Sequence, residues 1–439
     1  MSLMRNLFVA ALTILPLPAV AAVEIQEVTS PGGITAWLVE EPSIPFVAFD
    51  IRFKGGANLD DPGKRGATNL MMGLLEEGAA DRDARAFAEA TEDLAARFGF
   101  DTYNDSVGVQ VEVLTENRDE ALRLLRDALI EPRFDQSAID RVRDQVLAGI
   151  EADARDPQEI ASTTMSALAF PDHPYGTALE GTRETVSSLT RDDLMAAHAA
   201  ALTKDRMYIG VTGDISAADL GPLLDTLLGD LPEVGAPEVP TATYALDGGV
   251  TVTDFPSPQS VVLFGHEGIM RDDPDFFPAF VMNHILGGSG FASKLMSEVR
   301  EDRGLTYGIG SYLVPREYGA QYLGQFSSSN DKTAEAVQIV RDIWADVATN
   351  GVDSEKLDDA KTYLTGAYPL RFDGNGQIAG ILAGMQVQGL GIDYIATRND
   401  KVMAVTAEDI QRVAARVLQP ENLHFVVVGQ PEGLATGGL

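Results

Sequence analysis

Leu189–Ser216 reads LTRDDLMAAHAAALTKDRMYIGVTGDIS, and Val405–Glu432 reads VTAEDIQRVAARVLQPENLHFVVVGQPE. The two stretches align without a gap at a spacing of 216 residues, which places Gly213 on Gly429. Each indicates an amphipathic helix capped by threonine, then a short loop, then a buried strand that ends at glycine. Because such self-similarity marks repeated structural units, the sequence predicts two copies of one domain.

A second pair of stretches extends the repeat toward the N-terminus. Phe134–Ile150 resembles Val352–Tyr368 at a spacing of 218 residues. Between the two copies, residues 232–249 are rich in proline and glycine and lack helical periodicity, which is typical of a linker. The expected organisation is therefore an N-terminal domain at residues 23–231 and a C-terminal domain at residues 250–439.

Within the first copy, strands and helices alternate unevenly. The predicted strands are Thr35–Val39, Phe46–Phe53 and Val107–Leu114, and the predicted helices are Gly66–Glu76, Ala86–Phe98 and Asp119–Leu129. Strands joined by hairpins, with helices on one side, favour a two-layer arrangement. The predicted fold class is α+β, with two tandem homologous two-layer domains.

The net charge of the chain limits the kinds of molecule that it can bind. The chain has 439 residues, with 66 Asp and Glu against 33 Lys and Arg, and a formal net charge of -33. Nucleic acid and anionic membranes are repelled by such a surface, whereas a basic peptide is attracted. Solubility or adaptation to a saline habitat is the favoured explanation of the same charge. The absence of cysteine rules out disulfides and thiolate metal sites.

The first residues predict export. MSLMRNLFVAALTILPLPAVAAVEIQ carries a charge at Arg5, a short apolar run at Leu7–Leu17 and a small-residue cleavage pattern at residues 19–21. The run is too short to span a bilayer as a helix. We expect a signal peptide over about residues 1–22, cleavage after residue 21, and a periplasmic or secreted protein. No later segment is long and apolar enough to predict a membrane span.

Two longer stretches resemble the pitrilysin/insulinase family of zinc peptidases, which includes mitochondrial processing peptidase and the core proteins of the cytochrome bc1 complex. They are WLVEEPSIPFVAFDIRFKGGANLDDPGKRGATNLMMGLLEEGA, from Trp37, and DPDFFPAFVMNHILGGSGFASKLMSEVREDRGLTYGIGSYL, from Asp273. The resemblance runs from about Val23 to Gln430. It implies the processing-peptidase (LuxS-like metallohydrolase) fold, with the two domains forming half of a clamshell.

The resemblance also implies a metal site that this sequence does not keep. Active members carry His-x-x-Glu-His on the first helix, and a later glutamate is the third zinc ligand. Asn69 and Gly73 stand at the two histidine positions, Met72 at the catalytic glutamate, and Gly149 at the third ligand. Asn is a weak ligand, Gly has no side chain, and Met cannot carry a proton. We therefore expect no metal and no cofactor in this chain, with zinc only in a partner subunit.

A different set of family residues is retained in the second half. In the stretch VREDRGLTY, Arg300 and Tyr307 match an arginine and a tyrosine that bind a substrate carbonyl or stabilise an oxyanion across an interior chamber. Arg303 is a competing candidate, and a surface charge with a half-buried strand tyrosine is the structural alternative. The resemblance also implies a glycine-rich substrate loop, formed by Gly287, Gly288, Ser289 and Gly290.

Histidines give no independent metal site. None of the five has another histidine three or four residues away, so structural or surface roles are expected for all of them. They are His173, His198, His266, His284 and His424.

Three functions remain open at this point. The leading hypothesis is a non-catalytic subunit of a periplasmic heterodimeric zinc peptidase, paired with a ligand-bearing paralogue and helping to position a peptide substrate. The second is a peptide-binding or assembly protein with no peptidase role. The third is a hydrolase acting alone, for which the sequence shows no nucleophile–base pair.

Overall fold

The computed structural model describes residues 24–435, so the predicted signal peptide lies outside the described residues. The strands are β1 (Gln26–Thr29), β2 (Thr35–Glu40), β3 (Phe46–Lys54), β4 (Gly78–Ala79), β5 (Arg82–Asp83), β6 (Arg97–Thr102), β7 (Ser106–Leu114), β8 (Met207–Gly213), β9 (Gly249–Asp254), β10 (Gln259–Glu267), β11 (Ile309–Pro315), β12 (Ala320–Ser329) and β13 (His424–Gly429).

The helices are α1 (Ala67–Met72), α2 (Ala84–Asp93), α3 (Arg118–Ile130), α4 (Gln136–Asp153), α5 (Pro157–Ala169), α6 (Arg183–Ser188), α7 (Arg191–Ala201), α8 (Ala217–Leu228), α9 (Phe276–Asn283), α10 (Thr333–Asn350), α11 (Ser354–Gly366), α12 (Asn375–Val387), α13 (Tyr394–Met403) and α14 (Ala407–Val417). Within residues 24–435, no helix has the length and apolar character needed to cross a bilayer.

Two larger sheets share one strand order. The first runs β1-β2-β8-β3-β7-β6, and the second runs β11-β12-β10-β13-β9. Both orders begin with an edge hairpin, β6-β7 in the first sheet and β11-β12 in the second, followed by a central strand, β3 or β10. The next strand, β8 or β13, follows the repeated helix in sequence and pairs in parallel with its outer neighbour, β2 or β9. The first sheet adds only β1 at its far edge. The prediction of two tandem homologous α+β domains is confirmed.

The repeated stretches correspond atom by atom at their helix starts. Thr190 caps the start of α7 and Thr406 caps the start of α14, and each forms a capping box with the aspartate three residues later. The strands that follow end at Gly213 and Gly429, with φ of 140° and 158°. A Cβ on Gly213 would lie 2.3 Å from a neighbouring backbone oxygen, which explains why the repeat ends at glycine.

Each sheet is covered on both faces, and one of the two covers comes from the other half of the chain. Helix α5 of the first half packs Ala161 and Met165 onto Leu263 and Val426 of the second sheet. Helix α12 of the second half lies on β8, β3 and β2 of the first sheet. The expectation of helices on one side of each sheet is therefore incomplete, because the two halves exchange a helix.

The contact of α12 with the first sheet is unusually close. Gly210 of β8 lies beneath the helix, where an added Cβ would stand 2.1 Å from the carbonyl oxygen of Ala379 and 2.9 Å from the amide nitrogen of Ala383. Only a residue without a side chain allows the helix backbone to approach the strand at this distance.

The ends of the hairpins also join the two halves. Tyr175 donates to Asp105 at 2.5 Å and accepts from the backbone N–H of Tyr318 at 3.1 Å, while Lys54 pairs with Glu317 at 3.0 Å. The intervening stretch, predicted as a linker at residues 232–249, forms no helix or strand before Gly249. Its boundaries stay a prediction.

Two predicted helices end earlier than expected. The helix predicted at Gly66–Glu76 is α1 and stops at Met72, after which tight turns follow. The helix predicted at Ala86–Phe98 stops at Asp93, because Ala95 takes a positive φ of 50° and the chain turns into β6. Side-chain periodicity alone does not reveal such a left-handed residue, since alanine favours helices.

Candidate functional site

Helix α1 is held in place by a buried carboxylate. Asp60 accepts hydrogen bonds from the backbone N–H of Gly66 at 2.9 Å, and from the backbone N–H and hydroxyl of Thr68 at 3.0 and 2.6 Å. Burial raises the pKa of Asp60, whereas the Thr68 hydrogen bonds and the charge of Arg65 oppose this shift. These hydrogen bonds fix the turn that leads into α1.

The three positions that correspond to the His-x-x-Glu-His motif lie on two different faces of α1 and its C-terminal end. Asn69 and Gly73 are one helical turn apart on a partly exposed face, as two ligands to one ion would be. Met72 is only 1% exposed and packs in the core of the first domain. The neighbours Met71, Leu74 and Leu75 are also buried in that core, as the sequence indicates.

The third position lies on the neighbouring helix α4. A Cβ on Gly149 would meet no atom within 4 Å, so this glycine borders open space. A Cβ on Gly73 would come 3.5 Å from Val142 of α4, an ordinary contact. Residues 24–435 contain no group of three or more His, Cys, Asp or Glu side chains arranged to hold a metal ion.

We expect the purified chain to bind no stoichiometric zinc. Asn69, Gly73 and Gly149 together offer one weak amide ligand, and Met72 gives no base for activating water. Elemental analysis of zinc-saturated, desalted protein measures the content. About one tightly bound zinc per chain, reduced by Asn69→Ala, would contradict the assignment.

The matched control is the triple variant Asn69→His, Gly73→His and Gly149→Glu. Space exists for the new side chains at both glycines, because neither Cβ would meet an atom closer than 3.5 Å. The variant is expected to gain about one zinc in the same assay. A result in which both proteins stay metal-free would show that the scaffold itself has lost the site geometry.

The second half brings its predicted residues together. The guanidinium carbon of Arg300 lies 5.6 Å from the ring centroid of Tyr307 and 4.7 Å from that of Phe291. Tyr307 is 90% exposed and Phe291 is 65% exposed. Among residues 24–435, the guanidinium of Arg300 has no carboxylate partner and no hydrogen bond, so its donors are available to a ligand. Tyr307 is thus exposed to solvent in the single chain, whereas the family resemblance implies that it faces an interior chamber.

Arg303 is engaged elsewhere. Its Nη1 donates to the backbone carbonyl of Glu298 at 2.6 Å, and the carboxylate of Glu298 lies 3.9 Å away. This contact within one segment favours Arg300 as the residue that faces a ligand. The assignment of Arg300 and Tyr307 to substrate remains a prediction.

The glycine-rich loop begins in the last two residues of one stretch of wide, π-type helix, His284–Gly288, and a second such stretch follows it at Met296–Glu301. Such stretches are frequent at functional sites. A Cβ on Gly287 would meet the Ser311 hydroxyl at 2.2 Å, so this glycine is required for packing against β11. Gly290 has a φ of 59° and open space around it. The loop therefore combines a packed start with an open end.

Phe291 is the site residue that sequence reasoning missed. It follows the loop directly, and its ring stacks over the guanidinium of Arg300. The sequence does contain one signal for it: Phe291 is a large apolar residue that follows a run of glycine and serine and belongs to no helical or strand periodicity, so the pattern does not assign it to the core. Cation–π contacts of this kind hold an arginine in one orientation without neutralising it.

The histidines have structural contacts. His198 bonds the Leu129 carbonyl at 2.8 Å, and His266 is fully buried. The Nδ1 atom of His266 lies 2.7 Å from the Glu267 carbonyl, and its Nε2 accepts from Trp344 at 3.0 Å. This pattern requires a neutral ring with the proton on Nδ1.

His266 makes stability depend on pH. Burial lowers its pKa to about 4, with the Glu267 carbonyl opposing the shift. Because the folded pKa lies below the unfolded value of about 6.5, the stabilisation is present above pH 6.5 and is lost as pH falls toward 4. The loss reaches about 3 kcal/mol. Denaturant unfolding between pH 7 and 4 measures it, and His266→Gln, which keeps an acceptor for Trp344, should flatten this part of the pH dependence. Parallel curves for both proteins would refute the assignment.

Comparison with family models places both halves in one family of peptidases. Residues 36–183 match the model described as "Insulinase (Peptidase family M16)". Residues 188–364 match the model described as "Peptidase M16 inactive domain". The first match contains α1 with its altered ligand positions, and the second contains Arg300 and Tyr307.

Individual relatives cover nearly the whole chain. A Helicobacter pylori protein named "Non-peptidase homolog YmxG" is 26% identical, over 89% of this chain and 90% of its own. The mitochondrial-processing peptidase subunit beta of Blastocladiella emersonii is 22% identical, over 98% and 94%. The crystal structure of a peptidase M16 inactive domain from Pseudomonas fluorescens superposes with a TM-score of 0.88 at 28% identity, covering 95% of this chain and 100% of that one.

Proposed function

Because the chain belongs to the insulinase family of peptidases (peptidase family M16), we propose that it is the non-catalytic subunit of a heterodimeric zinc peptidase. The zinc ligands and the catalytic glutamate are supplied by a paralogous partner. This chain contributes part of the substrate chamber and the donors that position a peptide. The N-terminal sequence supports assembly in the periplasm or outside the cell.

The observation that carries this proposal is the contrast between two sites on one chain. At α1 the metal-binding positions are amide, glycine and a buried methionine. At Arg300 an unpaired guanidinium is held between two exposed rings. Two large exposed rings beside a free guanidinium offer a ligand both apolar surface and hydrogen-bond donors. The pattern fits a chain that has lost the metal chemistry and kept a substrate contact.

The net charge of -33 supports a basic substrate. An acidic surface raises the local concentration of a positively charged peptide and speeds its association. Guanidinium and phenol donors act on the neutral peptide backbone instead, so the two features serve attraction and positioning separately. The expected substrates are therefore peptides with an excess of lysine or arginine.

The test is reconstitution with the ligand-bearing paralogue, with both chains isolated from the periplasmic fraction. Alone, this chain should not cleave basic peptides. The mixture should form a heterodimer, hold one zinc, and cleave faster than the partner alone. A heterodimer no more active than the partner, at matched zinc content, would reject the positioning role.

The relative named as a non-peptidase homologue favours a second candidate, a peptide-binding or assembly protein with no peptidase role. The two candidates differ in one measurement. A positioning subunit changes the turnover of its partner, whereas an assembly protein changes only the amount or stability of the complex.

A further inference from the structure

A cavity of about 530 Å³ lies away from both sites described above. It is lined by α9, α12, α13, the turn at Tyr368–Phe372 and Arg52 of β3, and it is partly open to solvent. Its walls are largely aromatic and aliphatic, including Phe277, Phe280 and Met385. A cavity of this size with an apolar lining and a few convergent polar groups is typical of a small-ligand site.

The charge of this cavity is opposite to that of the protein. Four arginines line it, and no aspartate or glutamate does, although acidic residues outnumber basic ones two to one in the chain. Arg52 is neutralised by Asp50, with two contacts of 2.5 and 2.9 Å. The other three, Arg271, Arg371 and Arg398, form no ion pair with any carboxylate in residues 24–435.

Arg398 is the buried member of this set, with 6% of its surface exposed. Its Nη1 donates to the Leu364 carbonyl at 2.7 Å and to the Asn399 amide oxygen at 2.9 Å, and its guanidinium carbon lies 4.5 Å from the Tyr368 ring centroid. Burial lowers the pKa of Arg398 and the charge of Arg371 lowers it further, while Tyr394 and Tyr368 oppose the shift. An anion close to a buried guanidinium that lies beside a like charge would stabilise it.

Arg271 is held in a fixed orientation by its neighbours. Its Nη2 donates to the Tyr394 hydroxyl at 2.6 Å, and its guanidinium carbon lies 4.2 Å from the Phe276 ring centroid. The adjoining acidic turn holds no carboxylate within ion-pair distance of Arg271: Asp273 and Asp275 pair with arginines of α14, and Asp272 forms no ion pair with Arg271. Fixed guanidinium groups of this kind bind carboxylates through two parallel hydrogen bonds.

We propose that this cavity binds a carboxylate attached to a hydrophobic group, as in an aromatic or aliphatic carboxylic acid or the C-terminal residue of a peptide. Arg271, Arg371 and Arg398 hold the carboxylate, and the rings of the cavity cover the apolar part. The walls are too apolar for a fully hydrated inorganic anion. The site does not depend on the heterodimer, so it stands or falls separately from the proposed function.

Calorimetric titration of the purified full chain at low salt tests the site. The first probe is N-acetylphenylalanine and its control is the uncharged amide of the same compound. The acid is expected to bind at least tenfold more tightly than the amide. A short peptide ending in phenylalanine, with a free or an amidated C-terminus, then shows whether a peptide end is accepted as well as a free acid. Inorganic phosphate, tested alone, is expected to bind at least tenfold more weakly than the acid.

Arg371→Gln is the main variant, because Arg371 is exposed and removing its charge leaves the packing intact. It should weaken binding of the acid at least fivefold, and adding Arg271→Gln should weaken it further. Arg85→Gln is the matched control, since Arg85 is an exposed arginine of α2 away from the cavity.

Three results would overturn the proposal. They are equal affinity for acid and amide, unchanged affinity in Arg371→Gln with a normal unfolding curve, and no measurable binding of either the acid or the free peptide end. Binding of phosphate as tight as that of the acid would assign the cavity to small anions and refute the hydrophobic part.

Discussion

Replacing Arg300 by alanine (Arg300→Ala) is expected to lower the turnover of the reconstituted heterodimer about a hundredfold. A fixed donor aimed at developing negative charge commonly contributes about 3 kcal/mol to catalysis. Arg300 has the required freedom, since Phe291 and Tyr307 orient its guanidinium without neutralising it. Steady-state kinetics with a basic peptide measures the effect, and kcat should fall more than KM rises.

Arg303→Ala is the matched control, because it removes a nearby arginine that is already bonded to Glu298. It should change turnover less than threefold. Size-exclusion chromatography must show the same heterodimer for both variants. Full activity in Arg300→Ala, with the complex intact, would leave the chain as a scaffold and favour the assembly role.

A methyl group at Gly210 (Gly210→Ala) is expected to destabilise the protein by about 3 kcal/mol. The new Cβ would lie 2.1 Å from the backbone carbonyl of Ala379, and a backbone atom cannot move aside as a side chain does. Helix α12 would have to lift from β8, which costs packing across its whole inner face. Denaturant unfolding gives the free energy, and limited proteolysis should show earlier cleavage in α12.

Gly384→Ala provides the comparison within the same helix. A Cβ there meets no atom within 4 Å, so alanine should be neutral or stabilise the protein by about 0.5–1 kcal/mol through its helix propensity. If both variants lose similar stability, the close approach at Gly210 is not the cause.

The sequence predicted the elements that have a local sequence signal and that occur in both copies of the repeat. The threonine-capped helices at Thr190 and Thr406, and the strands ending at Gly213 and Gly429, were all visible in the repeat. The end of α2 was not, because the turn that closes it places Ala95 at a positive φ, where glycine is the usual residue and alanine gives no signal in sequence. Nor was the crossing of α5 and α12 between the sheets, since an amphipathic pattern shows that a face is buried but not against what.

The candidate site divides in the same way. The replaced ligands at Asn69, Gly73 and Gly149 are matters of residue identity, and the sequence alone shows them. The stacking of Phe291 on Arg300 depends on where a glycine-rich loop folds. The cavity lined by four arginines could not be predicted from the sequence at all. Its walls come from segments separated by more than a hundred residues, and each arginine looks like an ordinary surface charge in sequence.

The exchange of α5 and α12 has a consequence for how such a protein can arise and fail. A half-chain expressed alone would leave one broad apolar sheet face bare, and such a face promotes aggregation. Each half therefore covers an apolar face that would otherwise be exposed on the other half. A cut in the connecting segment should leave two fragments that stay associated. A chain with this arrangement cannot be shortened to one half without exposing an apolar sheet face. Substitution of the metal-binding residues in one half is therefore tolerated, whereas deletion of either half is not.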